Sequence, residues 1–507
     1  MKARPAFFLI SFIVSATLVL ISLYVTPVWG FFIIVGPLIL IGLSDVLQTK
    51  QAIRRNFPVI GHGRYMLEKI RPEIMQYFVE TDTEGRPINR IYRSMIYQRA
   101  KGVNDTSPFG TQMNAYDTGY EWMEHSMYPK AFEDLNHDPR VKVGGPNCQQ
   151  PYEASLLNIS AMSFGSLSKN AILALNGGAK DGHFAHNTGE GAISPYHKEP
   201  GGDLIWQIGT GYFGCRDDEG NFNPELFKEK ATDQQVKMIE IKLSQGAKPG
   251  HGGILPGNKN TPEIAAIRHV PVGKTVFSPP YHKAFSDAPG LMAFIQQLRD
   301  LSGGKPVGFK MCLGRKEEFL DLCEAIKMSG TGPDFITVDG GEGGTGASPV
   351  EFSNSLGTPL IEGLSFIHCT LQQKGLRNDI KIFASGKIIT AFDIMRVLAL
   401  GADACYSARA MMMALGCIQA LECNHNTCPV GVATQDKSLM KGLDPANKRV
   451  RVKNFHERTM ESFIEMLGAA GLSTPSEVSK KHIFRRVEMH MVKSYDELYP
   501  SVELEAV

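Results

Sequence analysis

Cysteine is scarce: nine residues in 507, well below the density of a secreted domain stapled by disulfides. Net charge is nearly absent as well. Fifty-three Lys and Arg stand against 52 Asp and Glu, leaving +1, and no dense basic stripe occurs. The composition therefore gives no support to a nucleic-acid partner. Charge is missing altogether from Pro5 to Ser44, a run of 40 residues.

As helix, that run would span about 60 Å, roughly twice the hydrocarbon core of a bilayer. "TPVWG" at 26–30 supplies a proline, a glycine and an interfacial tryptophan near its midpoint. The pattern predicts two membrane helices, 6–25 and 28–47, in an α-helical hairpin covering 1–49. A cleaved signal peptide is the alternative, since Lys2 and Arg4 resemble its basic start, but it leaves the second apolar stretch unexplained. Lys2 and Arg4 flank one end, and Lys50, Arg54 and Arg55 the other. The positive-inside rule then places the body of the protein in the cytoplasm, a reducing compartment that disfavours structural disulfides.

At 507 residues the chain exceeds one minimal domain and can bury a large core. Residues 50–150 read as a linker and cap without repeats or low-complexity tracts. From about 155 onward, short apolar runs end in Gly, Ser, Asn or charged residues. Eight of them are expected strands: 156–162, 183–189, 237–243, 275–280 ("TVFSPP"), 307–312, 334–340, 380–386 and 402–408. Helical stretches such as "EEFLDLCEAIKMSG" lie between the later ones. Strand–helix alternation argues for a parallel sheet, and eight units for an α/β fold of the (β/α)8 barrel type over 151–470; a doubly wound sheet is the other option. The 51 glycines suit its many tight loops. A C-terminal extension, 471–507, follows. In such barrels chemistry gathers at the C-terminal strand ends, here Ser163, Glu190, Lys248, His282, Lys310 and Glu342.

The last two units, "FASGKIITAFDIMRVLALGADACYSARA", run strand, Gly-Lys turn, helix, strand and polar turn. Glycine turns and helix N-termini bind phosphate, so Gly386, Lys387, Ser407 and Arg409 are phosphate candidates. Just beyond, Cys417, Cys423 and Cys428 fall within "GCIQALECNHNTCPVG" (416–431). A disulfide would strand one thiol, and zinc would need a fourth ligand such as the poorly placed His425. Three buried bystanders are the remaining choice.

"ISAMSFGSLS" (159–168), "NTGEG" (187–191), "QGAKPGHGGILPG" (245–257), "SPPYH" (278–282), "GGEGGTGASP" (340–349) and "CNHNTCPVGVATQ" (423–435) together resemble the FMN-binding synthase domain of glutamate synthase. They occur in family order. The resemblance implies FMN in the barrel mouth, a 2-oxoglutarate site beside it and a [3Fe–4S] cluster on Cys417, Cys423 and Cys428, whose C-x5-C-x4-C spacing the family shares. It further implies that Ala161, Met162 and Ser163 lie along the flavin ring and that Gln207 meets its edge. Lys310 matches a lysine near the pyrimidine side, and Gly343 and Gly344 join the phosphate candidates as cofactor contacts. Glu190 and Lys248 match the catalytic acid and lysine, Arg268 an arginine that grips a substrate carboxylate, and His282 a substrate neighbour.

The chain also departs from the family. His251 stands where the pattern has Glu, and Ile254 where it has a substrate-contacting Gln, which opens the identity of the oxoacid. No glutaminase cysteine is expected at the N-terminus, and no G-x-G-x-x-G segment follows Gln435, so electrons are expected from an external donor, a ferredoxin or a membrane reductase. Three functions follow as expectations. The first is reductive amination of a 2-oxoacid with ammonia, and the second is a related enzyme using another amine or oxoacid. The third is a membrane-bound electron-transfer module without turnover.

Overall fold

The computed structural model describes residues 2–501; the first residue of the expected hairpin and 502–507 of the expected extension lie outside them. The chain divides into two units between Pro87 and Ile88.

The first unit begins with helices Ala3–Ser22 and Phe32–Leu47, joined by a 3-10 turn over Thr26–Phe31. Both Ala3–Ser22 and the continuous span Thr26–Leu47 are long and apolar enough to cross a bilayer, a test that an N-terminal signal sequence also passes. Their side chains build no core of their own: Phe12 is 72% and Ile33 79% exposed.

In the second unit eight parallel strands close into a barrel. They are β1 (Leu157–Ile159), β2 (His186–Asn187), β3 (Leu204–Ile208), β4 (Val236–Lys242), β5 (Val307–Met311), β6 (Phe335–Asp339), β7 (Lys381–Ser385) and β8 (Ala404–Ser407). The barrel closes where β8 pairs with β1, Ser407 opposite Ile159. One expected strand is wrong. Val276–Phe277, within "TVFSPP", pairs antiparallel with Ile254–Leu255 in a ribbon outside the barrel. The third strand is instead "LIWQI", wholly buried. The two prolines after Ser278 stop the first segment from extending as a central strand, whereas a short apolar run between glycines carries no period that betrays a strand.

The barrel is filled in layers. At its floor Ile205, Met238, Phe335, Phe383 and Tyr406 pack together, and the hairpin Arg140–Val143/Tyr152–Ser155 plugs them from below with Val143 and Ala154. Gly308 makes room for this floor, because a Cβ there would lie 2.6 Å from the Phe335 ring. Above the floor comes a polar layer, and above that a charged mouth. Outside, helix Pro445–Ala469 packs on Lys169–Asp181 and Arg90–Lys101. Gly178 permits the close crossing, since a Cβ would sit 2.6 Å from Val452.

The starts of β5 and β6 depend on one buried ion pair. Arg299 and Asp334 are each 2% exposed, with Nη2 3.0 Å from Oδ2. Asp334 also accepts the Val307 and Gly145 N–H groups at 2.8 and 2.7 Å, and Arg299 Nη2 donates to the Gly332 carbonyl at 2.6 Å. Removing one partner strands a buried charge, which costs about 3–5 kcal/mol. Asp334→Ala is therefore expected to lower the unfolding free energy of the barrel by that amount in chemical denaturation; a loss below about 1 kcal/mol would show that the pair is not what holds these strand ends.

Candidate active site at the barrel mouth

The C-terminal strand ends bring together groups from four loops. β2 runs into a turn at Gly189 with φ +62°, which aims Glu190 across the mouth. Gly209 and Gly253 accommodate its carboxylate: a Cβ on Gly209 would lie 2.9 Å from Oε2. Lys242, the last residue of β4, meets Glu190 Oε2 at 3.0 Å and donates to Gln245 Oε1 at 2.7 Å. Burial alone would raise the Glu190 carboxyl, but Lys242, with Lys248 and Arg268 behind it, brings it below the ordinary carboxylate value.

Lys248 is buried to 4% exposure. Burial lowers its pKa, Glu190 opposes that, and Lys242 adds to it. Arg268 closes helix Pro262–Arg268, donates Nη2 to the Phe164 carbonyl at 2.8 Å and lies over the Phe213 ring at 5.3 Å. Its Nε is buried with no protein partner. Burial pulls the guanidinium to about 10, against the pull of Glu190, so it stays charged at neutral pH. Gly165 and Gly191 leave it room: Cβ atoms there would come within 2.8 and 2.7 Å of Nη2. Thus Glu190, Lys248 and Arg268 do converge, with three cations around one carboxylate.

His282 is placed differently from expectation. Its Nε2–H donates to the Lys242 carbonyl at 2.9 Å and its Nδ1 accepts from the Tyr212 hydroxyl at 3.1 Å. Tyr212 in turn accepts the Ala284 N–H at 3.0 Å; the Lys242 carbonyl, which can only accept, fixes the tautomer with its proton on Nε2. Burial holds the ring pKa down to about 4. With both nitrogens committed and the ring neutral, His282 has no polar atom left for a substrate and instead braces the strand end that carries Lys242.

Beneath the mouth, Glu240 is fully buried and accepts from Asn187 Nδ2 at 2.7 Å, Gln207 Nε2 at 2.6 Å and Thr337 Oγ1 at 2.6 Å. Gln207 thus spends an amide proton inside the barrel, and its carbonyl oxygen is what it can offer to the mouth. Lys310 stands opposite Lys242 in the β4–β5 register, 3.3 Å from Asp339. Burial alone would lower the ammonium, but Asp339 and Glu240 outweigh it and hold it above the usual lysine value. Asp339 also accepts the Gly246 N–H at 2.8 Å.

Across the mouth, the ends of β6, β7 and β8 meet. Gly386 and Lys387 have φ of +145° and +52°, and a Cβ on Gly386 would lie 3.5 Å from the Gly340 nitrogen. Arg409 Nη2 donates to the Glu342 carbonyl at 2.6 Å. Gly344 has to be small, because a Cβ would lie 3.0 Å from Arg409 Nε; Gly343 belongs to the same loop and donates to Gly340 O at 2.8 Å. Ser407 uses its hydroxyl on the Ile388 carbonyl at 2.7 Å. The anion-binding reasoning needs one correction. Helix Ala391–Ala399, which follows the Gly-Lys turn, carries its own capping box, in which Thr390 Oγ1 accepts the Asp393 N–H and the Asp393 carboxylate accepts the Thr390 N–H, so the helix's own carboxylate already stands at that terminus. Helix Arg409–Leu415 after β8 has no side-chain cap. On the β1 side, Met162 donates its N–H to the Asn187 carbonyl at 3.0 Å, and its own carbonyl accepts His197 Nε2–H at 3.1 Å. Ala161 and Ser163 flank it on that extended segment, and Ser163 packs 3.2 Å from where a Gly189 Cβ would be.

The three expected ligand thiols are all free. Burial pushes Cys417 up to about 12, with further upward influence from Cys423 and Cys428, so the three lie within electrostatic reach of one another. Lys259, 3% exposed, sits beside them and donates to the carbonyls of Ser166, Cys423 and Ala433 at 3.2, 2.8 and 3.0 Å. Among the described residues no His, Cys, Asp or Glu group is drawn close enough to hold a single metal ion.

Sequence reasoning missed Lys242, Glu240, Asp339 and Lys259. Lys242, Glu240 and Asp339 carry a readable signal, a charge inside or at the end of an apolar run, as in "KMIEIKL" and "DFITVDG", where a charged group survives burial only if it is paired; Lys259, in the polar loop "PGNKNTP", carries none. A separate cleft of about 980 Å³ at the opposite end of the barrel, lined by Asp138, Arg140, Lys180 and Asp181 among others, has mixed charges and no such convergence.

A family model described as the conserved region in glutamate synthase matches residues 112–473. Bacillus subtilis YerD, a glutamate synthase large subunit-like protein, is 39% identical over 511 residues, covering 92% of this chain and 96% of that one. The archaeal glutamate synthase [NADPH] of Methanocaldococcus jannaschii is 36% identical, over 62% of this chain and 59% of its own length. The B. subtilis glutamate synthase [NADPH] large chain is 33% identical over 64% of this chain, but only 21% of that protein is covered. A match over most of the barrel unit, joined to a near full-length relative, settles the family: the chain belongs to the glutamate synthase family and is a glutamate synthase-like oxidoreductase.

Proposed function

We propose that this protein is an FMN- and iron–sulfur-containing enzyme that reductively aminates 2-oxoglutarate, or a related 2-oxoacid, to L-glutamate or its analogue through a 2-imino acid. The observation that carries the reading is the single carboxylate of Glu190 surrounded by Lys242, Lys248 and Arg268. Three cations on one anion leave the mouth with surplus positive charge, which suits a substrate bearing two carboxylates. Arg268, with its unpartnered buried Nε, suits bidentate capture of one of them.

The residues can be given roles on that basis. Lys248, whose pKa burial lowers, gives a proton to the oxo oxygen as ammonia adds to C2. Glu190, kept ionised by its cations, accepts a proton from the added nitrogen and passes it to the new hydroxyl, which leaves as water, and the remaining iminium returns a proton to Lys248 to give the 2-imino acid. Lys242 holds Glu190 in place and His282 holds Lys242. The flavin, when bound, supplies the hydride that reduces the imine.

The residues fit FMN. The Gly386–Lys387 turn, the uncapped start of helix Arg409–Leu415 and Arg409 suit its phosphate, with Ser407, Gly343 and Gly344 shaping the surroundings. Ala161, Met162 and Ser163 would line the ring and the Gln207 carbonyl its edge, while Lys310 is a buried, lasting cation near it. The three cysteines, free and within electrostatic reach of one another, suit the three soft thiolate ligands that a [3Fe–4S] cluster takes. Electrons then arrive from an external donor such as a ferredoxin or a membrane reductase, and the N-terminal apolar helices anchor the protein to a membrane with the barrel in the cytoplasm.

One observation favours a second reading within the same chemistry. Ile254, next to Gly253 of the Glu190 pocket, lacks the hydrogen-bonding amide of a glutamine and withholds a polar contact, so a different oxoacid or amine is the alternative. An electron-transfer module without turnover has no use for the Glu190 cluster.

Lys248→Ala is expected to retain FMN and lower turnover by about 10²–10⁴-fold; unchanged turnover would remove the lysine from the chemistry. Because the Glu190 charge raises the Lys248 pKa, Glu190→Gln is expected to shift the alkaline loss of 2-oxoacid binding to lower pH, measured by titration across pH. A midpoint that stays or rises would contradict the coupling. Arg409→Ala is expected to weaken FMN binding about 10–100-fold, the loss of one charge-assisted contact, as read by fluorescence during apoprotein reconstitution; an unchanged dissociation constant would place the phosphate elsewhere.

A further inference from the structure

Beyond the two apolar helices, the first unit carries a helix with an uncovered apolar face. Gly61–Ile74 is α-helical and continues through a π turn over Met75–Val79. Ile60, Leu67, Ile70, Ile74 and Phe78 follow one another at spacings of seven, three, four and four and are 69, 57, 40, 37 and 85% exposed. Such spacing puts them on one face. Glu68, Lys69 and Glu73 turn away from it, while Arg64 and Arg71 border it one heptad apart. From Lys50 to Ile74 there are six Lys and Arg residues against Glu68 and Glu73.

The place of this helix along the apolar pair is fixed by a built contact. Asp45 lies in the last turn of Phe32–Leu47, 4% exposed. Its carboxylate meets His62 Nε2 at 2.8 Å and accepts the Val59 N–H at 3.0 Å. The elbow between is tight: a Cβ on Gly61 would lie 2.9 Å from Arg54 Cα, and the Arg54 guanidinium lies 4.9 Å over the Tyr65 ring. The apolar stripe therefore starts within about one helical turn of the end of helix Phe32–Leu47.

We propose that residues 60–79 form an interfacial helix that lies in the headgroup region of an anionic lipid bilayer, its stripe toward the acyl chains and Arg64 and Arg71 reaching lipid phosphates. The proposal rests on reading the preceding helices as membrane-spanning. Two features commit the stripe to lipid rather than protein: the tie at Asp45, which holds it at the membrane boundary, and the basic excess, which complements anionic headgroups. Arginine at the edge of an apolar face can bury its stem and keep its charge among phosphates. An amphipathic helix on the surface also limits tilting of the anchor, which a two-helix hairpin alone does not.

The test uses the full chain reconstituted into vesicles of phosphatidylcholine and phosphatidylglycerol. The photo-crosslinking residue p-benzoylphenylalanine replaces Leu67, Lys69 or, as a probe of the anchor, Leu38, and adducts are read by mass spectrometry. All three positions are on exposed surface, so the replacements leave packing intact. The proposal expects several-fold more lipid adducts from Leu67 than from Lys69. It is overturned if the Leu67 probe labels protein, whether its own chain or a second copy, or labels lipid no more than Lys69 does. Lipid adducts at Leu67 without any at Leu38 would uphold the interfacial helix and remove the spanning anchor. Adducts at Leu38 alone would do the reverse.

Discussion

A buried ionised carboxylate persists only if cations or hydrogen-bond donors reach it, and the arrangement around Glu190 meets that requirement with cations. Lys242 meets it at 3.0 Å because β4 ends on a lysine. That lysine keeps its position because His282 grips its carbonyl, and the Tyr212 hydroxyl holds the other ring nitrogen. Glycines 209 and 253 give the carboxylate space, and glycines 165 and 191 give Arg268 space. Many of the glycines in the family-like motifs are thus explained by what their missing side chains admit.

The same logic runs downward through the barrel. An apolar floor, plugged by the 140–155 hairpin, excludes water from below. The Glu240 layer above it is a carboxylate satisfied by three neutral donors, so it adds negative potential without closing on a salt bridge. Lys310 lies between that layer and Asp339 and stays protonated. The mouth therefore presents a permanent cation on one side and, on the other, one carboxylate among three cations, with the glycine loops of β6 and β7 facing both.

Much of this was legible before the structure. Seven of the eight barrel strands fall where hydrophobic runs and their polar ends place them, and Glu190, Lys248 and Arg268 converge from motifs far apart in sequence. Other parts were not legible, for physical reasons. "LIWQI" and "TVFSPP" look alike as short apolar runs, and only the prolines that end the second count against it as a central strand. The loss of His282 as a substrate contact depends on which partners its two nitrogens find, and the capped helix at Thr390 on a side chain three residues later. Lys242 and Glu240 hide within a strand because burial of a charge is visible in sequence only as an oddity; its partners come from β2, β3 and β6 and are assembled by the fold.

The central claim is that the cations around Glu190 receive a 2-oxodicarboxylate for amination. The most direct measurement mixes the anaerobically purified, chemically reduced protein with 2-oxoglutarate and ammonium and follows flavin absorbance alongside product. The account predicts reoxidation of the bound flavin with release of L-glutamate in matching amount. Flavin that stays reduced with 2-oxoglutarate and with every other 2-oxoacid and amine offered would contradict it.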